Sequence, residues 1–135
     1  MVDSLRDEER RTRKLRILIV DDDAELRDAL SLLFELEGYT VLPEAANGLE
    51  AIALAKSYRP DVVVLDYLMP HLNGDEAAAL IRTVARGVRI VAFSAVLDEA
   101  PPWADAFLNK ERINEIAPLI DRLIPTPRET VPTTP

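Results

Sequence analysis

Apolar residues in this chain fall into short unbroken runs and longer stretches with helical spacing, and the two kinds alternate. Leu15 to Val20 (LRILIV) is the first run and reads as a buried strand. Leu26, Ala29, Leu30, Leu33, Phe34 and Leu36 then recur three and four apart as far as Gly38, giving a helix that Asp23 or a neighbouring acid can cap. Tyr39 to Leu42 (YTVL) reads as a second strand. A helix from about Leu49 to Tyr58 turns Ala51, Ile52 and Ala55 inward, and Arg59-Pro60-Asp61 breaks it. Val62 to Leu65 is apolar at every position instead of alternating, the pattern of a strand covered on both faces. Ala77, Ala78, Leu80, Ile81 and Val84 mark a helix from Gly74 that closes with Gly87 at C′. Val88 to Phe93 is the fourth strand, ending on Ser94. Ala106-Phe107-Leu108 is a brief fifth, ending at Asn109-Lys110. Ile113, Ile116, Ala117, Ile120 and Leu123 form one face of a last helix, about Ile113 to Ile124, in which Pro118 either makes a kink or belongs to the first regular turn.

Five strands alternating with helices predict an α/β fold: a parallel sheet with right-handed crossovers and helices on both faces. The pattern alone leaves the strand order open. A doubly wound order brings the ends of strands one, three, four and five to one edge, where open sheets of this kind bind ligands. Those ends carry Asp21 and Asp22, Asp66, Ser94 and Lys110.

At 135 residues the chain suits one domain, and 48% hydrophobic with 30% charged residues marks its middle as globular. The expected organisation is a charged flexible arm over residues 1–14, a domain over 15–124 and a disordered Pro/Thr tail over 125–135. The net charge of −8 argues against a nucleic-acid surface. With no cysteine there is no disulfide framework and no thiolate metal site. No stretch is apolar enough for a membrane span or a signal-peptide core, so the expected location is the cytoplasm.

The candidate chemistry centres on Asp61 to Gly74, DVVVLDYLMPHLNG. Its apolar run delivers Asp66 to the mouth of a loop, Pro70 lacks the N–H that would continue a ladder, and Asn73-Gly74 suits a turn into the next helix. Asp66 with the strand-one acids gathers three carboxylates whose mutual repulsion asks for a cation. Hard oxygen donors without His or Cys suit Mg²⁺ or Mn²⁺. The Ser94 hydroxyl and the Lys110 ammonium are groups that bind the remaining oxygens of a phosphoryl group. Each residue also has an ordinary reading: Asp66 as a turn aspartate, the acid triplet as an N-cap run, Ser94 as a strand-end hydroxyl, Lys110 as a solvated charge. The joint order of acid, acid, hydroxyl and ammonium on four strand ends is what argues for a site. His71, the one histidine, sits beside Pro70 on a loop and reads as a surface residue.

ILIVDDDAELR, EAANGLEAI, DVVVLDYLMPHLNG, FSA and AFLNK together resemble the landmarks of the receiver domain of two-component response regulators, the CheY-like superfamily, over about Arg16 to Ile124. The resemblance implies a flavodoxin-like sheet of order 2-1-3-4-5. It implies Asp66 as phosphoacceptor, Asp22 with Asp21 and the Leu68 carbonyl as Mg²⁺ ligands, Ser94 and Lys110 on the phosphoryl oxygens, and Ser94 with Phe107 as the switch pair. It also implies a histidine kinase or phosphotransfer protein as donor and a downstream protein as target, with no catalysis beyond the domain's own phosphorylation and dephosphorylation. A stand-alone monomer or weak homodimer is expected.

Two departures stand out. The segment AVLDEAPPWADA between Ser94 and Phe107 is shorter than in the family and carries Pro101-Pro102-Trp103 where a fourth helix should run, so that helix should be reduced or absent. Glu111 replaces the usual Pro after Lys110, so the cis peptide common there should be absent. Other classes remain: a receiver-like binding module without phosphorylation, or a haloacid-dehalogenase-type phosphohydrolase. The latter wants a second acid two residues after its nucleophile, where this chain has Leu68.

Overall fold

The structure, a computed structural model, describes residues 14–124, so the arm at 1–13 and the tail at 125–135 lie outside the described residues. Five strands, β1 (Arg16–Val20), β2 (Thr40–Val41), β3 (Val62–Leu65), β4 (Arg89–Ser94) and β5 (Ala106–Asn109), form one parallel sheet in the order β2-β1-β3-β4-β5. This is the order the resemblance implied. Helices α1 (Ala24–Leu36), α2 (Gly48–Tyr58), α3 (Gly74–Val84) and α4 (Ile116–Leu123) cover it, α4 following a 3-10 segment, Lys110–Glu115.

Alternate strand residues feed two cores, which is why the central strands need apolar residues at every position. Ile17, Ile19, Val62, Val64, Val91 and Phe93 meet Leu30 and Phe34 of α1 and Ile116 and Ile120 of α4. Leu18, Val20, Val63, Leu65 and Ile90 meet Ala51 and Ala55 of α2 and Ala77, Ala78 and Ile81 of α3. The alanines let the second pair of helices lie close to the sheet.

Local chemistry sets the element ends. Asp23 caps α1, its carboxylate accepting the Glu25 and Leu26 N–H groups at 3.0 and 3.3 Å. Asn47 caps α2 by accepting from Glu50 N at 2.9 Å. β2 is only two residues long because Pro43 interrupts the ladder, and the chain rejoins β1 at the isolated Val20–Ala45 bridge.

Three expectations need correcting. The third helix ends at Val84, with Ala85 as its C-cap, and Gly87 (φ +80°) instead serves the following turn into β4. The last helix does not run from Ile113: Lys110–Glu115 is 3-10, Arg112 leaves helical angles (φ −103°, ψ 33°), and the α-helix starts at Ile116. Pro118 is the reason, since it cannot donate to the carbonyl of Asn114 and its ring crowds that group; as third residue of α4 it occupies a first turn that asks for no N–H. The first two strands are each shorter than their apolar runs, beginning at Arg16 and Thr40. Between Ser94 and Ala106 only bends and a turn occur, so the fourth helix, expected to be reduced or absent, is absent, and no described peptide bond is cis.

Candidate functional site

Parallel pairing of β1 with β3 places Val20 beside Leu65, so the residues that follow, Asp21 and Asp66, emerge side by side at the C-terminal sheet edge. Their backbones are fixed before any side chain is considered. Asp66 N–H donates to Val20 O at 3.0 Å and Asp21 N–H to Ala45 O at 3.1 Å. Both carboxylates are buried, Asp21 at 1% and Asp66 at 5% exposure, while Asp22 is exposed. One oxygen from each of Asp21, Asp22 and Asp66 lies within 4.8 Å of the others. Around them, Asp21 Oδ1 accepts the Asp23 N–H at 2.9 Å, and Arg27 Nη1 donates to the Asp21 carbonyl at 2.6 Å while its Nε pairs with Glu44 at 3.1 Å.

From the start of the 3-10 segment after β5 comes the one side-chain cation that, among the described residues, pairs with these carboxylates. Lys110 Nζ lies 2.8 Å from Asp21 Oδ2 and 3.3 Å from Asp66 Oδ2. Asp21 Oδ2 is otherwise unmet: buried, it accepts no well-directed hydrogen bond and has only this ionic contact. Burial and then the neighbouring Asp21 charge push the Asp66 carboxyl from 3.8 up to about 6, against the opposing pull of Lys110 and the Tyr67 main-chain N–H. Burial works to lower the Lys110 pKa, but its contacts with Asp21 and Asp66 outweigh that and raise it. Three acids facing one ammonium leave the pocket short of positive charge. A buried, under-satisfied carboxylate oxygen and an all-oxygen donor set fit a hard divalent cation such as Mg²⁺, held by Asp21, Asp22 and Asp66.

Ser94 ends β4 at the same edge, 1% exposed, with its Oγ accepting Val96 N–H at 3.1 Å and its O–H left to donate. Phe107 stands half-buried on β5, paired with Ala92, and strand alternation puts it on the same sheet face as Ser94. Leu68 lies in the loop after Asp66 with its side chain 52% exposed, so the second acid of a haloacid-dehalogenase-type site has no substitute there. His71 is exposed on that loop in left-handed conformation (φ +74°). A cleft of about 550 Å³ lined by Arg59, Arg86, Arg89 and Leu123 lies at the opposite sheet edge and contains none of the three carboxylates.

Sequence reasoning missed how the loop after Asp66 is held. Tyr67 stacks on Trp103, ring centroids 6.2 Å apart at 16°, and Gly74 N–H donates to Tyr67 O at 2.8 Å. Arg82 of α3 reaches across to the Trp103 carbonyl at 2.9 Å and Asp105 at 3.0 Å. The only signal was the lone Trp in a proline-rich segment.

A family model for the response regulator receiver domain matches residues 17–110. The chemotaxis protein CheY of Thermotoga maritima is 39% identical over 85 residues, 63% of this chain and 71% of that protein. The transcriptional regulatory protein PdtaR of Mycobacterium tuberculosis is 40% identical over 81 residues, 58% of this chain but only 40% of that protein. The chain thus spans less than half the length of several curated relatives it matches. The Thermotoga maritima response regulator TrrA, solved in complex with Mg²⁺ and BeF, superposes with a TM-score of 0.73 at 31% identity, covering 82% of this chain and 99% of that one. Because the family match runs from the second residue of β1 to Lys110, it takes in every strand and every residue of the carboxylate pocket, and this chain belongs to the response regulator receiver domain family.

Proposed function

We propose that this chain is the phosphoacceptor module of a two-component phosphorelay, taking a phosphoryl group on Asp66 and passing the signal to a protein partner through a change of conformation. The observation that supports it most is the pairing of a 5% exposed Asp66 with Asp21 and Lys110, Nζ 3.3 Å from the Asp66 carboxylate. In the reaction, an Asp66 carboxylate oxygen attacks phosphorus, a new O–P bond forms, and the bond from phosphorus to the donor's leaving group breaks. The donor class is a phosphohistidine of a histidine kinase or phosphotransfer protein, and its imidazole leaves with the bonding electron pair. Asp21 and Asp22, with Asp66 and the Leu68 main-chain carbonyl, would hold Mg²⁺ (or Mn²⁺), which when bound supplies positive charge for the phosphoryl oxygens. Lys110 stays within reach of a phosphoryl oxygen and offsets the charge that builds there. Ser94 donates its O–H to another oxygen, and its approach leaves room on its sheet face for Phe107 to move from half-buried to buried. The chain catalyses nothing beyond its own phosphorylation and dephosphorylation, and works in the cytoplasm. Incubation with acetyl phosphate and Mg²⁺ should add one phosphoryl mass that base and hydroxylamine remove, as they do from acyl phosphates. Asp66→Asn should stay folded and unlabelled, and a chain that takes no label under these conditions counts against the proposal.

A further inference from the structure

Where the fold lacks a helix between β4 and β5, the strap that replaces it ends in a braced tryptophan. Asp105 N–H donates to Ile90 O at 2.8 Å and Asp105 Oδ2 accepts Ile90 N–H at 2.8 Å, tying the strap to β4. Arg82 Nη2 bridges Asp105 Oδ2 and the Trp103 carbonyl, tying it to α3. Ala104 N–H closes a turn onto Pro101 O at 3.1 Å. So anchored, Trp103 lays its ring on Tyr67, the residue directly after Asp66. The same ring closes over Gly74, where an added Cβ would come within 3.2 Å of it and within 2.9 Å of Asp66 O and Tyr67 Cα. The loop that starts at Tyr67 is therefore clamped between its own Gly74 N–H and the indole of Trp103, which an arginine brace holds in place.

We propose that Trp103 is a positioning residue for the phosphoacceptor loop: by stacking on Tyr67 it fixes the backbone next to Asp66, including the Leu68 carbonyl, and so sets the metal affinity and the rate of phosphoryl acceptance. The proposal rests on the reading of Asp66 as phosphoacceptor only for its metal-binding and kinetic consequences; the clamp itself is built from contacts within the chain. Tyr67 directly follows Asp66 and its main-chain N–H favours the charged Asp66 carboxylate, so freedom at Tyr67 is freedom at the nucleophile. Stacked aromatic pairs are rigid enough for this, having few rotatable bonds and a specific geometry. A ring that only fills space against the apolar cluster beneath α2 and α3 would lower stability when shortened and leave the loop backbone unchanged.

The test compares wild type with Trp103→Phe, which keeps a ring on Tyr67, Trp103→Leu, which keeps only apolar volume, and Tyr67→Leu, which removes the stack from the other side. Amide exchange in chelator is read first. Trp103→Leu and Tyr67→Leu should speed exchange at the Gly74 amide about tenfold or more beyond any change at the β3 amides, and Trp103→Phe should stay near wild type. Mg²⁺ titration by calorimetry and acetyl phosphate labelling follow, with about tenfold weaker binding and slower labelling expected for the two leucine variants. Equal exchange at Gly74 relative to β3 in all four proteins would overturn the clamp. If one leucine variant fails to fold, the other carries the comparison. A wild type that neither binds Mg²⁺ nor labels would refute the phosphoacceptor reading, while the exchange result would still decide the clamp.

Discussion

Asp66 is held between burial and Asp21, which favour its neutral form, and Lys110, which favours its charge. The first two prevail, so its folded pKa of about 6 lies above the 3.8 of a free aspartate. The sign of the stability effect follows. Well below pH 3.8 the group is protonated in folded and unfolded chains alike and contributes nothing. As pH rises toward 6 the unfolded chain loses its proton first, so stability falls, and above 6 the full cost remains, about 3 kcal/mol for this shift. Metal-free Asp66→Asn should therefore be more stable than wild type at pH 7.5 by about 1–3 kcal/mol in urea denaturation. The gain should vanish as the pH falls below 3.8, and equal stability at pH 7.5 would contradict the charge balance. Asp22 is exposed and, among the described residues, makes no hydrogen bond or ion pair, so its role should separate cleanly from folding. Asp22→Ala should weaken Mg²⁺ binding by about tenfold or more, by calorimetry, with a stability change within about 0.5 kcal/mol. These residues were legible because each ends an apolar run, and the end of a parallel strand has one place to be. The under-satisfied Asp21 oxygen and the stack of Tyr67 on Trp103 were not, since they depend on side-chain positions that no spacing encodes.

At the scale of elements, the least periodic segment is the one the structure divides most sharply. Among the described residues, the Leu97 to Ala100 amides donate no hydrogen bond, whereas Ala104 and Asp105 donate to Pro101 and Ile90. Exchange should be near the unprotected rate at Leu97 to Ala100 and slowed at least about a hundredfold at Asp105, as for other amides closed by sheet-type bonds. A uniformly protected or uniformly open strap would contradict this division. Gly74 supplies a second test, since a Cβ there meets main-chain atoms at 2.9 Å that cannot rotate away. Gly74→Ala should cost about 1–3 kcal/mol by urea denaturation, as overpacking does. Prolines explain both the successes and the misses of sequence reading here. Pro101 and Pro102 announced the missing helix because two absent donors in a row cannot be repaired. Pro118 was ambiguous, because a proline inside an apolar helical pattern is tolerated in a first turn and only the packing of Ile116 and Ile120 shows where that turn starts.

Over the whole molecule, the sheet separates an acidic edge, where Asp21, Asp22, Asp66 and Lys110 meet, from an edge whose cleft carries Arg59, Arg86 and Arg89. The fold was readable because unbroken apolar runs alternating with helical spacing admit few topologies; the strand order was not, and came from family motifs. What the order accomplishes is the convergence itself: with β1 and β5 flanking β3 and β4, a β1 carboxylate and the lysine after β5 reach one another. The central claim is that this convergence makes Asp66 the phosphoacceptor, and borohydride trapping tests it most directly. Acetyl phosphate and Mg²⁺ are added, the acyl phosphate is reduced in place, and peptides are sequenced by mass spectrometry. The account predicts homoserine at position 66 and nowhere else, with none formed when Mg²⁺ is chelated; homoserine at Asp21 or Asp22, or its absence at 66 in a protein shown to be labelled, would contradict it.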